Sequence, residues 1–206
     1  RPATAAALGR DGNWIQSMVQ VKKAEVRQAL LDAARGLFLQ NGYAETQLST
    51  IAAQAGTSKS NIYKYFGSKF ELLMALYDPW LRQRIELLEK ATLAVPKSRR
   101  LRRFLKVLLE DIPQEDNGFA NLLMQALATA PAEYRPDLLH WFEGRIVAIL
   151  RECVDDDFSA ADLQHLAELL VLVHDGFLIA SRTRHLQHFS RGVVDLLNKR
   201  LARELK

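Results

Sequence analysis

The chain of 206 residues is predicted to be all-α, with a three-helix helix-turn-helix domain followed by a helical bundle. Three observations favour this class. No stretch shows sustained two-residue alternation, β-branched residues are sparse, and apolar residues recur at three- and four-residue spacing. Since 49% of the residues are hydrophobic, the chain can bury a substantial core.

The N-terminal third contains short helical patterns separated by glycine. The predicted helices cover 22–40, about 48–55, 59–65, and a longer stretch from Lys69 towards Lys90. Gly56 ends the second pattern, and Ser58 and Ser68 are good N-caps for the third and fourth. Two short helices joined by a tight glycine-containing turn describe a helix-turn-helix. We therefore predict an N-terminal extension at 1–21, a helix-turn-helix domain at 22–68 and a larger helical domain at 69–206.

The third helix has two chemically different faces. Ile62 and Phe66 lie four residues apart and are expected to pack on Ile51 and Leu37. The opposite side and its flanks carry the polar and cationic residues Lys59, Ser60, Asn61, Tyr63, Lys64 and Tyr65. Hydroxyl, amide and ammonium groups are the types that contact base edges and phosphates. The alternative is a small polar helix that simply faces solvent.

The positive charge of the chain is concentrated in the same region. Residues 22–69 carry a net charge of +4, which equals that of the whole chain, so the remainder sums to zero. A basic module on a neutral partner is typical of polyanion binding. A chance excess on a solvated face remains the alternative.

These residues carry a family resemblance. The run from Leu31 to Leu73, LDAARGLFLQNGYAETQLSTIAAQAGTSKSNIYKYFGSKFELL, closely resembles the DNA-binding region of TetR-type transcriptional regulators. The matching pieces are AA..LF..NGY at 33–43, IA..AG at 51–56 and S…IY.YF.SK..L from Ser58 to Leu72. The resemblance implies a third helix that enters the major groove, and a C-terminal domain that senses a small molecule and dimerises.

The resemblance also assigns residues. Ser60, Asn61 and Lys64 are expected on the DNA face, and Tyr63, Tyr65 and Lys69 near phosphates. The full predicted DNA-binding set is Thr46, Gln47, Ser49, Ser58, Lys59, Ser60, Asn61, Tyr63, Lys64, Tyr65 and Lys69. Lys69 adds a cation at a helix N-terminus.

Three positions depart from the family pattern. Gln47 stands where a capping Thr is usual, so Thr46 is expected to take that role. Ser60 replaces a common Gly, and Phe70 replaces a common acidic residue. These changes affect operator preference rather than family membership.

The second domain is divided by prolines and acidic residues. The predicted helices are 98–112, 119–130, 137–153, 159 to about 185, and a last helix with a stripe of Val193, Val194, Leu197 and Leu201. The helix at 159–185 is apolar on nearly every side and is expected to be buried all round. TetR-type dimers form a four-helix bundle from their last two long helices, so the predicted interface is Leu169, Leu172, Gly176, Ile179, Val194, Leu197 and Leu201. A central helix of a monomeric core is the alternative.

Apolar and aromatic residues of this domain are candidates for an effector pocket. The set is Trp80, Phe104, Phe119, Met124, Trp141, Phe142, His174 and Phe177, although each is also a plausible core residue. His174 and Asp175 interrupt an apolar run and need partners if buried, either across an interface or at a cavity.

Other constellations favour structural interpretations. The basic run at 97–106 is predicted to be a solvated helix face, and the alternative is a site for an anionic effector or a partner. No metal site or cofactor is expected, because His165, His174, His185 and His188 match no ligand pattern. The single Cys153 excludes an intramolecular disulfide and is expected to be a small buried hydrophobe. No catalytic motif occurs, so we predict no enzyme.

The predicted function is a dimeric, ligand-responsive DNA-binding regulator. A repressor released from a palindromic operator by a small molecule fits the resemblance best. The alternatives are an activator or dual regulator on the same fold, and a helical small-molecule-binding protein or enzyme with a vestigial helix-turn-helix. The absence of a signal-peptide pattern and of a membrane-spanning run favours a cytoplasmic location.

Overall fold

The computed structural model confirms an all-α fold. It describes residues 8–115, 118–129, 137–154, 158–183, 192–197 and 199, with side chains from residue 16 onwards and not at 178–183; no β-strand occurs among them. The helices are α1 (Leu8–Asn41), α2 (Leu48–Gln54), α3 (Lys59–Phe66), α4 (Lys69–Leu93), α5 (Lys97–Lys106), α6 (Ile112–Glu115), α7 (Phe119–Leu127), α8 (Asp137–Arg151) and α9 (Ala160–Thr183). A π-helical turn, Val107–Asp111, joins α5 to α6, and residues 192–197 are also helical.

The chain divides into two compact units, Arg1–Leu76 and Tyr77–Lys206. The division falls eight residues beyond the predicted boundary at 68/69. Helix α1 also begins earlier than the predicted 22–40, because residues 8–21 continue the same helix. Part of the predicted N-terminal extension is therefore helical and continuous with the first helix of unit 1.

The core of unit 1 fixes the orientation of α3. Ile62 and Phe66 are buried, as are Ile51 on α2 and Leu37 and Phe38 on α1. Helix α2 contacts both α1 and α3. The predicted division of α3 into a buried face and an exposed face is confirmed.

Glycines with positive φ terminate the short helices of unit 1. Gly56, between α2 and α3, has φ +64°, and Gly67, at the end of α3, has φ +69°. A Cβ atom makes positive φ unfavourable, so glycine, which has none, adopts this conformation at the lowest cost. Ser68 then caps α4, because its Oγ accepts a hydrogen bond from the Glu71 backbone N–H at 3.0 Å.

The capping predicted before α2 and α3 differs from what forms. Gln47 occupies the N-cap position of α2 without a side-chain cap bond. Thr46 does not replace it: this residue is buried, and its hydroxyl lies 2.7 Å from the Gly42 carbonyl oxygen and 3.2 Å from that of Leu37. Thr46 therefore fastens the end of α1. Ser58 sits at the N-cap of α3, but its hydroxyl pairs with that of Ser60 at 2.8 Å.

Helix α9 organises unit 2. It contacts α6, α7, α8 and the π-helical turn. One stripe of α9 is buried: Leu163, Ala167, Leu170, His174 and Phe177. Within one chain the burial is one-sided, because Leu169 and Leu172 are 50% and 69% exposed, so burial of the remaining face stays a prediction that depends on a partner subunit.

The π-helical turn explains how the helix passes Pro113. The sequence predicts a break at this proline, whereas helical structure continues from Lys97 to Glu115. The Ile112 N–H bonds to the Val107 carbonyl oxygen, one residue wider than in an α-helix. The next donor in that pattern is Pro113, which has no N–H, so the Leu108 carbonyl oxygen lacks a helical partner.

His174 supplies the missing donor. Its Nδ1 lies 2.8 Å from the Leu108 carbonyl oxygen, and because a carbonyl only accepts, Nδ1 carries the proton. Complete burial lowers the pKa of His174 to about 4, against a smaller opposing effect of the Leu108 bond. The imidazole is therefore neutral at physiological pH.

The basic run of α5 is largely paired. Arg100 bridges to Glu152 at 3.3 Å, Arg102 to Asp195 at 3.1 Å, and Lys106 pairs with Asp111. These contacts and the exposure of Arg102 and Lys106 support the interpretation of the run as a solvated helix face. None of the helices that the structure describes is long and apolar enough to cross a membrane.

Cys153 is buried and isolated from solvent. Its Sγ lies 3.2 Å from the Ile149 carbonyl oxygen, to which the thiol donates. Burial raises the pKa of the thiol to about 12. A small buried hydrophobe is the role that these contacts support.

Two glycine substitutions should have opposite effects on stability. Gly56→Ala places a Cβ at positive φ and should cost about 1–2 kcal/mol of unfolding free energy. Gly36→Ala, inside α1 with Gln54 Nε2 at 3.9 Å from the added Cβ, should stabilise by about 0.5–1 kcal/mol. Denaturant unfolding followed by circular dichroism measures both. Equal effects of the two changes would contradict the turn geometry.

Acidification should destabilise the protein through His174. The unfolded state binds a proton near pH 6.5, while folded His174 does so only near pH 4, so this contribution is complete above pH 6.5 and is lost as the pH falls towards 4. The loss amounts to roughly 3 kcal/mol at most. His174→Gln keeps an N–H donor and removes the titration. The free energy of unfolding of the unmodified protein should therefore fall towards that of the variant as the pH is lowered from 6.5 to 4, as measured by denaturant unfolding. A pH-independent difference would overturn the assignment.

Candidate nucleic-acid interface and ligand cavity

The exposed face of α3 presents four of the predicted DNA-binding residues to solvent. Lys59, Ser60, Tyr63 and Lys64 are exposed, and Tyr63 is 50% accessible despite its aromatic ring. Because Ile62 and Phe66 are anchored in the core, these side chains cannot rotate inward without unpacking the unit. The face combines cations, hydroxyls and an aromatic ring.

Local hydrogen bonds hold the polar side chains of this face. The Asn61 Nδ2 donates to Thr57 Oγ1 at 2.7 Å, which leaves the amide oxygen of Asn61 as an acceptor. The Lys59 Nζ lies 5.9 Å from the centroid of the Tyr63 ring. Asn61 and Tyr65 are half-buried. Thr57 was missed by sequence reasoning, because it precedes the N-cap Ser58 and helical spacing gives no signal for its contact with Asn61.

The start of α2 adds a smaller polar surface beside its N-terminus. Gln47 and Ser49 are exposed, and the Ser49 hydroxyl lies 3.4 Å from Gln47 Oε1. Thr46 does not belong to this surface, since it is only 3% exposed and bonds to the end of α1.

Lys69 is tethered rather than freely extended. Its Nζ donates to the Ala44 carbonyl oxygen at 3.2 Å and lies 4.4 Å from the Tyr43 ring centroid. Lost hydration lowers the pKa of Lys69, and the Glu45 carboxylate opposes that shift. This lysine therefore joins the first turn of α4 to the segment after α1.

Unit 2 contains a cavity of about 370 Å³ between α4, α7, α8 and α9. This volume lies within the range of small-molecule sites. The lining residues are Tyr77, Leu81, Ala120, Leu123, Met124, Leu127, Leu139, Phe142, Glu143, Glu168, Val171, Leu172, His174 and Asp175.

Three of the eight predicted pocket residues line this cavity: Met124, Phe142 and His174. The other five lie elsewhere. Phe104 is fully buried in the core, and the rings of Trp80 and Phe119 pack with that of Tyr77 at centroid distances of 5.6 Å and 6.3 Å. Trp141 lies 4.3 Å beneath the Arg82 guanidinium. Phe177 belongs to the buried stripe of α9.

Three acidic residues of the cavity were missed as a group: Glu143, Glu168 and Asp175. Glu168 and Asp175 lie seven residues apart on α9, which places them on one face two turns apart, and this was the available signal. Asp175 lines the cavity while the residue remains exposed to solvent, and partial loss of hydration together with the nearby Glu143 raises its pKa to about 6. Within the described parts of the chain, no three such residues are grouped to hold a metal ion.

The predicted dimer residues differ in accessibility. Leu169, Leu172 and Gly176 form an exposed face of α9, and a Cβ built on Gly176 meets nothing within 4 Å. Val194 is 4% exposed and therefore packs inside the chain, which corrects its assignment to an interface. Leu197 is half-buried. Neighbouring Leu196 is 55% exposed and was not predicted.

The exposure of two further residues of the predicted dimer interface is not described. The side chain of Ile179, on α9, and the whole of Leu201 lie outside the described residues. Leu172 also lines the cavity, so the exposed apolar face of α9 adjoins the candidate ligand site.

Comparisons with known proteins agree with this architecture. Residues 30–76 match the sequence model of the family described as bacterial regulatory proteins, tetR family. The chain is 30% identical over 175 residues to the HTH-type transcriptional regulator RutR of Escherichia coli (strain K12), covering 80% of this chain and 74% of that protein. It is 39% identical over 61 residues to the fatty acid metabolism regulator protein of Bacillus subtilis, a match that spans 30% of this chain and 31% of that protein.

A solved structure shows the same fold across both units. The transcriptional regulator FadR from Bacillus subtilis in complex with stearoyl-CoA superimposes with a TM-score of 0.61 at 22% identity, covering 82% of this chain and 96% of that one. The family match falls on the helix-turn-helix, and the RutR match continues through most of unit 2. The chain belongs to the TetR family of bacterial transcriptional regulators.

Proposed function

We propose that the protein is a dimeric repressor that binds a palindromic operator and is released from it when a small molecule occupies the cavity of unit 2. The observation that carries this proposal is the two-sided construction of α3. One side is locked into the core by Ile62 and Phe66, and the other presents a compact set of cationic and polar groups.

The exposed groups divide into two roles. Lys64, Ser60 and Asn61 occupy the side opposite the core, where ammonium, hydroxyl and amide groups suit base edges in the major groove. Lys59 and the tyrosine hydroxyls flank them and suit phosphates, which position the protein without specifying sequence. Lys69 contributes mainly by holding the turn between α1 and α2, and its charge adds to the attraction for DNA.

Dimerisation follows from the small footprint of one helix-turn-helix. A single recognition helix contacts only a few base pairs, so useful sequence specificity requires two recognition helices. A two-fold dimer sets its reading helices about 34 Å apart and matches half-sites one DNA turn apart or a multiple of it. The exposed leucines of α9 and Leu196 are the surface that we assign to the partner subunit.

Release by a ligand requires that the two conformers of the protein differ in affinity for that ligand. A molecule that occupies the cavity stabilises the conformer in which the cavity binds it more tightly. If the operator binds the other conformer more tightly, the affinity of the protein for the operator falls. If the ligand strengthened operator binding instead, the protein would be a co-repressor-dependent regulator or an activator.

Base-reading and phosphate-contacting residues should respond differently to mutation. An operator selected from random duplexes supplies the probe for gel shifts at several salt concentrations. Lys64→Ala and Asn61→Ala should each cost roughly 1–3 kcal/mol on that site and relax preference at one or two positions. Lys59→Ala should weaken all sequences alike and shallow the salt slope by about 0.9.

Lys90→Ala, an exposed lysine of α4 in unit 2, is the matched control and should leave both quantities unchanged. Selection of no sequence at all from the random pool would favour the vestigial helix-turn-helix. Altered sequence preference in Lys59→Ala alone would reverse the assigned roles.

The dimer should depend on the exposed face of α9. Leu169→Glu places a charge where a partner helix is proposed to pack, so sedimentation should show a monomer and operator affinity should collapse. Leu87→Glu, on α4 and 45% exposed, is the control for adding a charge to an exposed leucine of the same unit, and it should stay dimeric. Circular dichroism checks that both remain helical. A folded, dimeric Leu169→Glu protein would move the interface to another surface.

A further inference from the structure

The charged side chains that are described around the cavity are all acidic. Its walls are mostly aliphatic, and Glu143, Glu168 and Asp175 add three carboxylates on the α8 and α9 sides. No lysine or arginine occurs among the described residues that line it. An apolar site with acidic groups and no basic ones selects ligands by charge as well as by shape.

The described arginines of α4 and α8 do not pair with these carboxylates. Arg145 on α8 pairs with Glu89, and on α4 Arg82 pairs with Asp78 and Arg84 with Glu115. In the part of the chain that the structure describes, no salt bridge reaches Glu143, Glu168 or Asp175. Glu168 accepts one hydrogen bond from Gln164 at 3.1 Å, which leaves its charge in place.

The raised pKa of Asp175 is consistent with this excess of negative charge around the cavity. Removal of water and the charge of Glu143 both disfavour its ionised form. A cation in the cavity would reverse this effect and favour the carboxylate.

The ring of His174 lines the cavity, and its second nitrogen is an acceptor rather than a donor. Because Nδ1–H is committed to the Leu108 carbonyl oxygen and the ring is neutral, Nε2 has a lone pair and no proton. The ring lies against Phe142 with 6.0 Å between centroids, so it is held on the cavity wall. Phe142 and Tyr77 provide aromatic faces of the kind that attract cations.

We propose that the effector of this protein is an organic cation, in which a protonated amine or a quaternary ammonium group is carried on an apolar or aromatic body. The body occupies the aliphatic wall formed by α7, and the cationic group lies among Glu143, Asp175 and Glu168. A ligand with N–H donors can also bind His174 Nε2. An anionic group would meet three carboxylates with no counter-charge, which disfavours carboxylate and phosphate ligands.

This inference rests on the proposed function only in treating the cavity as the effector site, and binding can be measured without DNA. The probes are 4-phenylbutylamine, 4-phenylbutanol and 4-phenylbutanoate, which share one body and carry charges of plus one, zero and minus one. Calorimetry on the full chain at pH 7.5 should show the amine binding at least about tenfold more tightly than the alcohol, with the acid weakest. Equal or tighter binding of the acid, or no binding of the amine at millimolar concentration, would overturn the proposal.

Carboxylate variants locate the site. Asp175→Asn and Glu143→Gln should each reduce the preference for the amine over the alcohol severalfold while leaving alcohol affinity nearly unchanged. Glu86→Gln removes an exposed carboxylate of α4 away from the cavity and should retain the full preference. An equal loss in Glu86→Gln would show that the selectivity is general surface attraction, and the proposal would fail.

The dependence on pH gives an independent readout. Lowering the pH from 7.5 to 5 protonates Asp175, whose pKa is about 6, so amine affinity should fall. Glu143 from α8 acts directly on Asp175, and the other titratable groups that line the cavity are Glu168 and His174 from α9 and the Tyr77 phenol from α4; the α7 residues of the wall are apolar. Asp175→Asn should flatten the profile. An unchanged profile in this variant would exclude Asp175 as the group that binds the cation.

The two proposals fail in different ways. A protein that binds its operator but no amine keeps the regulatory function and loses the ligand class. A protein that binds the amine selectively, but whose operator complex is unaffected by saturating amine, keeps the ligand class and loses the proposed release mechanism.

Discussion

The hydrogen bond between His174 and the Leu108 carbonyl oxygen joins three features of unit 2 that otherwise have no common cause. In the π-helical turn Ile112 donates to Val107 rather than to Leu108, and Pro113, the next donor in that pattern, has no N–H, so the buried Leu108 carbonyl must be satisfied from outside the helix. His174 satisfies it, which fixes α9 against that turn. The same bond sets the tautomer of the ring. Nδ1 carries the proton, and Nε2 is therefore an acceptor.

Unit 1 achieves its surface by simpler means. Its small core orients α3, and positive-φ glycines end the helices on either side so that the chain can turn within one or two residues. The polar side chains are then held by short-range bonds, such as that between Asn61 and Thr57. A surface that is pre-ordered in this way loses less conformational entropy when it meets DNA.

The sequence was a good guide where a pattern is local. Helix spacing and glycine breaks predicted the three helices of unit 1 and the buried face of α3, because both depend on neighbours within a few residues. It failed where a long-range contact decides. The buried role of Thr46 depends on carbonyls of another segment, and the Leu108 carbonyl beside the π-helical turn is satisfied by a residue 66 positions further along the chain.

The cavity shows the same limit. Aromatic size suggested Trp80, Phe104 and Trp141, but large rings also fill cores and pack with each other or with arginine, and composition does not distinguish these environments. The acidic residues of the cavity lie on two helices that are adjacent only in the folded chain. Their grouping therefore became visible with the structure, although the pair on α9 shares a helical face.

The burial of Cys153 has a practical consequence for studying conformational change. The chain has one cysteine, and its thiol is buried with a pKa of about 12, so very little thiolate is present at neutral pH to react with alkylating reagents or oxidants. A second cysteine introduced on the solvent side of α3 would react alone, without first replacing the native one. The native protein should therefore not react with thiol labels. A spectroscopic probe attached to the introduced cysteine can report the movement of α3.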